Sequence, residues 1–420
     1  MMETKFEEVP HHSKILQALE DQDTSISFTD PLESEMVLNM GPQHPATHGV
    51  LRLLVKLDGE TVVGVVPELG YLHRGYEKLA ENCSYHEFIP HTDRLDYISP
   101  LSNNTAYVLA VEKLLGIEAP IRTQYLRTII SELARISSHL LFLGSLAMDV
   151  GALTVWMWSF REREKLYDIF ENLVGARFTT SFTRIGGLAQ DMTSEVKGVI
   201  TEFIKDFPKN LEECERLLNH NRIFIDRCDG VGIITREQAI DLGVTGPTLR
   251  ASGVNHDLRR TLPYLIYDKF DFDVPVYEGG DSLARYYQRM AEMKESTKIV
   301  RQALENIPAG PIHAFKPHNV LPRKEQVYTR MEELIHDFML INFGIDPPDG
   351  EIYFSIEAPK GELGFYIMSK KGDGHPWRFK IRSPSFVNIH ALPTMLKGAM
   401  ISDVVAIIGS LDPVMGEADK

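Results

Sequence analysis

Two histidines four residues apart, His44 and His48, stand in the stretch Asn39-Met40-Gly41-Pro42-Gln43-His44-Pro45-Ala46-Thr47-His48-Gly49-Val50. On a helix they would share one face and could hold a metal ion. Pro42, Pro45 and Gly49 oppose a helix, because proline lacks the N–H and fixes φ while glycine loosens the backbone. The stretch therefore reads as a rigid loop between two strands that holds imidazoles at a set place. A structural turn with two exposed histidines is the bland alternative. Two more polar residues stand in settings that ask for a reason. Tyr97 follows Asp93-Arg94-Leu95-Asp96, and Asp149 sits in an apolar run between Gly144 and Gly151. Each has an ordinary explanation: a tyrosine packs amphipathically, and a carboxylate at a helix end caps it. Spacing alone does not bring His48, Tyr97 and Asp149 together.

Familiar catalytic signatures are missing. Gly230 and Gly232 form a G-x-G without a third glycine, and neither a P-loop nor a G-x-S-x-G elbow occurs. Cys83, Cys214 and Cys228 are widely spaced, so neither a disulfide framework, a zinc site nor a four-cysteine iron–sulfur cluster is expected, and a reducing compartment fits. A net charge of −15 makes nucleic acid an improbable partner, since phosphate binding needs a basic surface. The acidic start Met1-Met2-Glu3-Thr4-Lys5-Phe6-Glu7-Glu8 has no apolar core of a signal peptide.

The elements that must position these residues follow from periodicity. Residues 1–34 are weakly patterned and read as an N-terminal arm. From 35 to 70 a β-hairpin region carries the loop: Leu51, Leu53, Val55 and Leu57 share one face, Arg52 and Lys56 the other, and Asp58-Gly59 marks the turn. Residues 71–345 form a helical core, with Leu126, Ile129, Ile130, Leu133, Ile136, Leu140 and Leu143 at helical spacing over 121–149. Further helices are expected near 194–218, 282–306 and 324–342. Leu140 to Trp158 approaches membrane-spanning length, but Asp149 at its centre favours two buried helices meeting at a break. The run Arg161-Glu162-Arg163-Glu164-Lys165 reads as a solvated or partner-facing surface. Residues 346–420 form a C-terminal β region and tail, with strands at 352–356, 365–368 and 377–382. The fold class is α+β, a mainly helical core with small antiparallel sheets near both ends.

Several ordered blocks are similar to those of a known family. The loop block through Leu51-Arg52, Leu72-His73-Arg74-Gly75-Tyr76-Glu77-Lys78-Leu79 and Asp93-Arg94-Leu95-Asp96-Tyr97 resemble the D-type, quinone-site subunit of proton-pumping NADH:quinone oxidoreductase, respiratory complex I. Phe160-Arg161-Glu162-Arg163-Glu164-Lys165, Gly175-Ala176-Arg177 and Glu357-Ala358-Pro359-Lys360-Gly361-Glu362 continue the resemblance, which covers residues 35–420. It implies a fold like the large subunit of nickel–iron hydrogenases. A hydrogenase itself is excluded on chemistry. In Asp412-Pro413-Val414-Met415-Gly416-Glu417, Val414 and Glu417 stand where that enzyme's tail has cysteines, and Asp96 and Ser99 replace the other pair. Such residues cannot replace soft thiolates at nickel.

The resemblance implies that the vacated metal site has become a quinone headgroup pocket. Tyr97 and His48 would hydrogen-bond the two carbonyl oxygens, with Asp149 paired to His48. Reduction to quinol needs two protons; tyrosine is a neutral donor at pH 7, and histidine with a carboxylate can pass a proton. Electrons would come from a [4Fe-4S] cluster in an adjacent subunit, with Arg74 and Thr179 facing that cluster. No cofactor would be bound by this chain alone, and quinone would be the substrate. Thr179 takes a place where many relatives have histidine; His91 is the alternative group to reach the cluster. Lacking that histidine, the cluster would have a lower, nearly pH-independent potential suited to menaquinone. Implied partners are the other complex I subunits: the B-type one that carries the terminal cluster, the C-type and I-type ones, and the H-type one in the membrane. The implied location is the cytoplasmic face of the bacterial inner membrane, held peripherally through those partners. A relative fed by ferredoxin or reduced deazaflavin F420, reducing quinone or phenazine, is the runner-up, and a structural scaffold with a vestigial pocket is a third reading.

Overall fold

The structure of the protein, a computed structural model, describes residues 35–314 and 319–420. The expected arm, residues 1–34, lies outside the described residues. Strands β1 (Glu35–Met40), β2 (Arg52–Asp58) and β3 (Thr61–Glu68) pair antiparallel in that order. Met40 opposes Leu53, so the histidine loop is the β1–β2 connection, and Asp58 opposes Thr61 across Gly59-Glu60. The expected one-sided burial does not hold. Leu53, Val55 and Leu57 are buried, but so are Leu54 and Lys56. Consecutive buried residues mean that both faces of the strand are covered, and a register shift between Lys56 and Leu57 breaks the alternation.

Helices α1 (Tyr76–Asn82), α2 (Pro100–Leu115), α3 (Ile121–Asp149), α4 (Leu153–Val174), α5 (Ser194–Asn219) and α6 (Ser282–Asn306) make the core. Helix α3 is its axis, touching α2, α4 and α6. By length and composition it could cross a membrane, yet most of it is buried inside the protein. Its buried residues include Arg127, Glu132 and His139, each bonded to a neighbouring element, as a helix packed inside a protein requires. The break after Asp149 passes through Gly151 at φ 93°. Helix α4 departs from the expectation of two buried helices: Leu153 and Met157 are 55% and 59% exposed.

The charged run on α4 is corrected as well. Arg161, Glu164 and Lys165 are exposed, but Glu162 and Arg163 are buried, because the helical period turns them inward. Glu162 accepts from Arg161, Lys165 and Asn210, and Arg163 lies over the rings of Phe160 and Tyr167. The helix expected over 324–342 is split. A short turn, Lys324–Val327, precedes α7 (Met331–Phe343), and Arg330 between them is extended. The Thr329 hydroxyl donates to the Glu325 carbonyl at 2.8 Å, taking an acceptor that a continuing helix would need.

At the C-terminal end, β4 (Gly350–Ala358), β5 (Gly361–Ser369) and β6 (Arg378–Arg382) form a second antiparallel sheet. Phe379 and Ile381 point inward, whereas Trp377 stays outside β6 and is exposed. Helices α8 (Pro384–His390), α9 (Ile401–Leu411) and α10 (Met415–Ala418) complete the chain, and the apolar run Val404 to Ile408 lies in α9. Helix α9 packs on α3, on α6 and on the short turn Pro45–Thr47 of the histidine loop.

A fully buried ionic network ties the core to the second sheet. Arg250 donates to Glu292 at 2.7 Å and to Glu357 at 2.7 Å, and the carbonyl of His256 accepts a third bond. Arg259 pairs with Asp257 at 2.7 Å and with Glu132 at 3.2 Å; Glu132 also accepts from Tyr267 and Ser296. Arg135 joins the core to the Glu357 carbonyl. Burial opposes charge on each of these groups, but the neighbouring arginines hold Glu132 and Glu292 below the usual carboxylate range. Such a network stands only when every member is paired.

Candidate active site

The histidine loop is locked from within. Thr47 is fully buried, and its hydroxyl donates to the carbonyl of His44 at 2.9 Å. His48 has φ +52°, a left-handed conformation that costs a non-glycine residue about 1–2 kcal/mol. That backbone aims the imidazole at the end of α3, where Nε2 lies 2.6 Å from Asp149 Oδ2. The pair is nearly closed off, with side chains 13% and 10% exposed. Asp149 is the last residue of a 29-residue helix. A carboxylate there meets the negative end of the helix dipole, at a cost of about 0.3–1 kcal/mol, which the hydrogen bond with His48 offsets. It is therefore not acting as a helix cap.

Helix α9 passes under the pair at Gly409. A Cβ at this position would stand 3.0 Å from Asp149 Oδ2 and 3.5 Å from His48 Nε2. The tail after α9 then links the pair to Tyr97. A Cβ on Gly49 would lie 3.3 Å from Met415 Cγ, and one on Gly416 would lie 3.1 Å from Tyr97 Cδ1. Two consecutive tail residues thus touch the histidine loop and the tyrosine. Tyr97 is half-buried, and its hydroxyl makes no hydrogen bond among the described residues. Burial, and then the Asp96 charge, push its pKa above the ordinary tyrosine value, so it is a neutral donor at pH 7.

Arg74 and Thr179 lie at the surface, apart from the pair. The Arg74 guanidinium is 5.3 Å from the centre of the Tyr76 ring, and no carboxylate pairs with it among the described residues. His91 stacks on Phe88; burial first, then the charges of Arg94 and Arg74, lower its pKa. Thr179 is exposed beside Phe178 in the segment after α4. Two residues on, Ser181 (φ +42°) gives both its N–H and its hydroxyl to Asp93, at 2.9 and 2.6 Å. The Thr179 segment is therefore pinned to the turn that carries Tyr97. His44, the other histidine of the opening stretch, is not part of the His48–Asp149 pair.

Residue spacing missed a buried charge group beside Tyr97: Asp96, Lys360, Asp412 and Glu417. Lys360 sits in the β4–β5 turn and donates to Asp96 at 3.2 Å and to Ser138 at 2.9 Å, and pairs with Asp412 at 3.4 Å. A lysine in a Pro-Lys-Gly turn ordinarily points to water, and nothing in the sequence signals otherwise. Where a nickel site would need thiolates, Glu417 is held by Ser385 and Ser99 donates to Ser102. These hard oxygen donors do not suit nickel. Among the described residues no three His, Cys, Asp or Glu gather as a metal site. A cavity of about 620 Å³ lined by His86, Arg184 and His313 shares no residue with this centre.

Comparison with known proteins bears on this arrangement. Residues 149–420 match the family described as the 49 Kd subunit of respiratory-chain NADH dehydrogenase. The chain is 61% identical over 409 residues to the D-type subunit of NADH-quinone oxidoreductase from Chloroherpeton thalassium, covering 97% of this chain and 93% of that one. It is 54% identical to the D-type subunit from Methylacidiphilum infernorum, covering 98% and 97%, and 55% identical to that from Salinibacter ruber, covering 94% and 88%.

Proposed function

Because the chain belongs to the family of 49 Kd subunits of respiratory-chain NADH dehydrogenase, we propose that it forms the headgroup site at which the assembled enzyme reduces quinone. The observation that carries this reading is the sequestered His48–Asp149 pair, joined through the tail to a tyrosine whose hydroxyl is unengaged. Tyr97 donates to one quinone carbonyl and His48 to the other. Asp149 orients the imidazole and stabilises it while it carries a proton. Electrons arrive from an iron–sulfur cluster of the neighbouring B-type subunit, against the face bearing Arg74 and Thr179. The C-type, I-type and H-type subunits are the further partners, and the assembly sits at the cytoplasmic face of the inner membrane.

Replacing Asp149 by Asn tests the pair. The imidazole keeps a hydrogen-bonding neighbour but loses its anionic one. Quinone reduction by the assembled complex is expected to fall at least about tenfold, a loss typical of a general acid–base group, while electron transfer from NADH to an artificial acceptor upstream is unchanged. With His48→Ala as the second arm, a double-mutant cycle is expected to be strongly non-additive. Simple addition of the two losses would remove the pair from the mechanism.

Thr179 yields a second expectation. A histidine at a cluster takes up a proton on reduction, which ties the midpoint potential to pH; threonine offers one neutral hydrogen bond. The cluster beside this subunit is expected to have a low midpoint potential nearly constant between about pH 6 and pH 8, the range in which histidine titrates. Thr179→His is expected to introduce a slope. Redox titration followed by electron paramagnetic resonance reads both, and a slope near one proton per electron in the wild type would assign the coupling elsewhere, to His91 first.

A further inference from the structure

Two carboxylates, Asp96 and Asp412, hold one buried ammonium near Tyr97, and a third, Glu417, lies within its electrostatic reach. Lys360 is bound to Asp96 and paired with Asp412, and its side chain is 1% exposed. Glu417, also 1% exposed, accepts through Oε1 from the N–H of Ser385 at 3.2 Å and from its hydroxyl. That hydroxyl accepts in turn from the N–H of Val414 at 3.2 Å. Among the described residues Oε2 of Glu417 makes no hydrogen bond, so it is the oxygen left to carry a proton.

The other charges facing the group make no ion pair with Glu417 among the described residues. Arg163, from α4, is within electrostatic reach of Asp96 and Asp412. Arg289, from α6, reaches Asp412, but its guanidinium is bonded to the carbonyls of Arg285, Ser410 and Leu411. Lys420 faces Glu417 from the tail itself, with burial lowering its own pKa. A buried carboxylate that no cation pairs with is favoured in its neutral, protonated form. Glu417 is the group so placed: burial first, then the Asp96 charge, raise its pKa to about 7, against the pull of Lys360 and the Ser385 bonds.

This group acts on Tyr97. Asp96 and Asp412 raise the phenol's pKa and Lys360 lowers it, and residue 416, beside Glu417, packs on the tyrosine ring. We propose that Glu417 is a positioning residue for the proton that Tyr97 gives to the substrate. As a neutral acid it leaves Lys360 to Asp96 and Asp412. As a carboxylate it competes for Lys360 and makes Tyr97 a weaker donor. The step balances simply: two electrons from the neighbouring iron–sulfur protein and one proton each from Tyr97 and His48 convert quinone to quinol, and both residues regain protons from water. The inference rests on Tyr97 being the headgroup donor.

The test is the pH profile of quinone reduction by the assembled complex. Wild type is expected to lose roughly five- to tenfold between about pH 6 and pH 8, along the limb of one titrating group. Glu417→Gln mimics the neutral acid, so it is expected to abolish that limb while matching wild type near pH 6. Transfer to an artificial acceptor upstream stays flat in both. Should the Gln complex not assemble, Ser385→Ala removes the hydroxyl bond that favours the carboxylate, keeping the backbone N–H one, and is expected to move the limb to higher pH. An infrared band of a protonated carboxyl, lost on raising the pH and absent from Glu417→Gln, reads the titration directly. A limb unmoved by either substitution, or no such band, overturns the proposal. Tyr97→Phe separates this failure from that of the site itself: an unmoved limb with an inactive Phe variant sinks only the role of Glu417, whereas full turnover in the Phe variant sinks the headgroup reading.

Discussion

Tyr97→Phe is expected to cost the assembled complex most of its quinone reduction while leaving its assembly and its upstream electron transfer intact. The change removes one hydroxyl and keeps the ring that Gly416 packs against. Since the hydroxyl has no partner among the described residues, its removal leaves no buried group of the protein unpaired. The whole penalty therefore falls on the substrate. A buried donor–carbonyl bond is worth about 1–3 kcal/mol, or roughly a 5- to 150-fold loss of rate. Steady-state turnover with a native-length quinone, set beside an artificial-acceptor assay, measures it, and wild-type turnover would show that Tyr97 is only packing.

Arg250→Ala is expected to be as damaging for a different reason. The substitution strands Glu292 and Glu357 together in a fully buried place, with Asp257 3.8 Å from the vacated guanidinium. Removing one partner of such a group costs about 3–5 kcal/mol, a large share of a domain's stability. Here two carboxylates lose their counter-charge at once. The variant is expected to accumulate poorly and to be missing from the purified complex. Arg250→Lys restores the charge but not the fork that serves Glu292 and Glu357, so partial recovery is expected. Subunit content of the purified complex and its thermal unfolding read the outcome. Normal assembly of the Ala variant would mean that water or a rearranged arginine replaces the lost charge.

The scaffold is more legible in the sequence than the centre. Helix α3, both small sheets and the loop nature of the His48 stretch follow from periodicity and from Pro42, Pro45 and Gly49, because these are local signals. The half-wrong expectations share one cause. Charge alone sends Lys56, Glu162 and Arg163 to solvent, but their burial depends on elements distant in the chain. Nothing near His48 announces Asp149; their pairing follows from likeness to a family and is visible physically only in the assembled fold. Lys360 lies within a block of that likeness, yet a lysine in a turn is usually solvated and so suggests no role. In the sequence Glu417 stands out only as a departure from cysteine, and its burial against Ser385 cannot be read from spacing.

The distances along the chain between contacting residues carry a consequence for how the molecule is made. His48 and Asp149 are 101 positions apart, Asp96 and Lys360 are 264 apart, and Asp419, which accepts the N–H of Gly70 and Leu72, is 349 positions from Gly70. Contacts of such separation form late, after local helices and hairpins, because loop closure must precede any gain from them. A chain stopped before residue 412 would keep β1–β3 and α1–α9. It would lack Asp412, the Met415–Gly416 bridge and the Asp419 clasp on the turn after β3. The His48–Asp149 pair lies wholly before that point, so what the last residues add is the link between the pair and Tyr97.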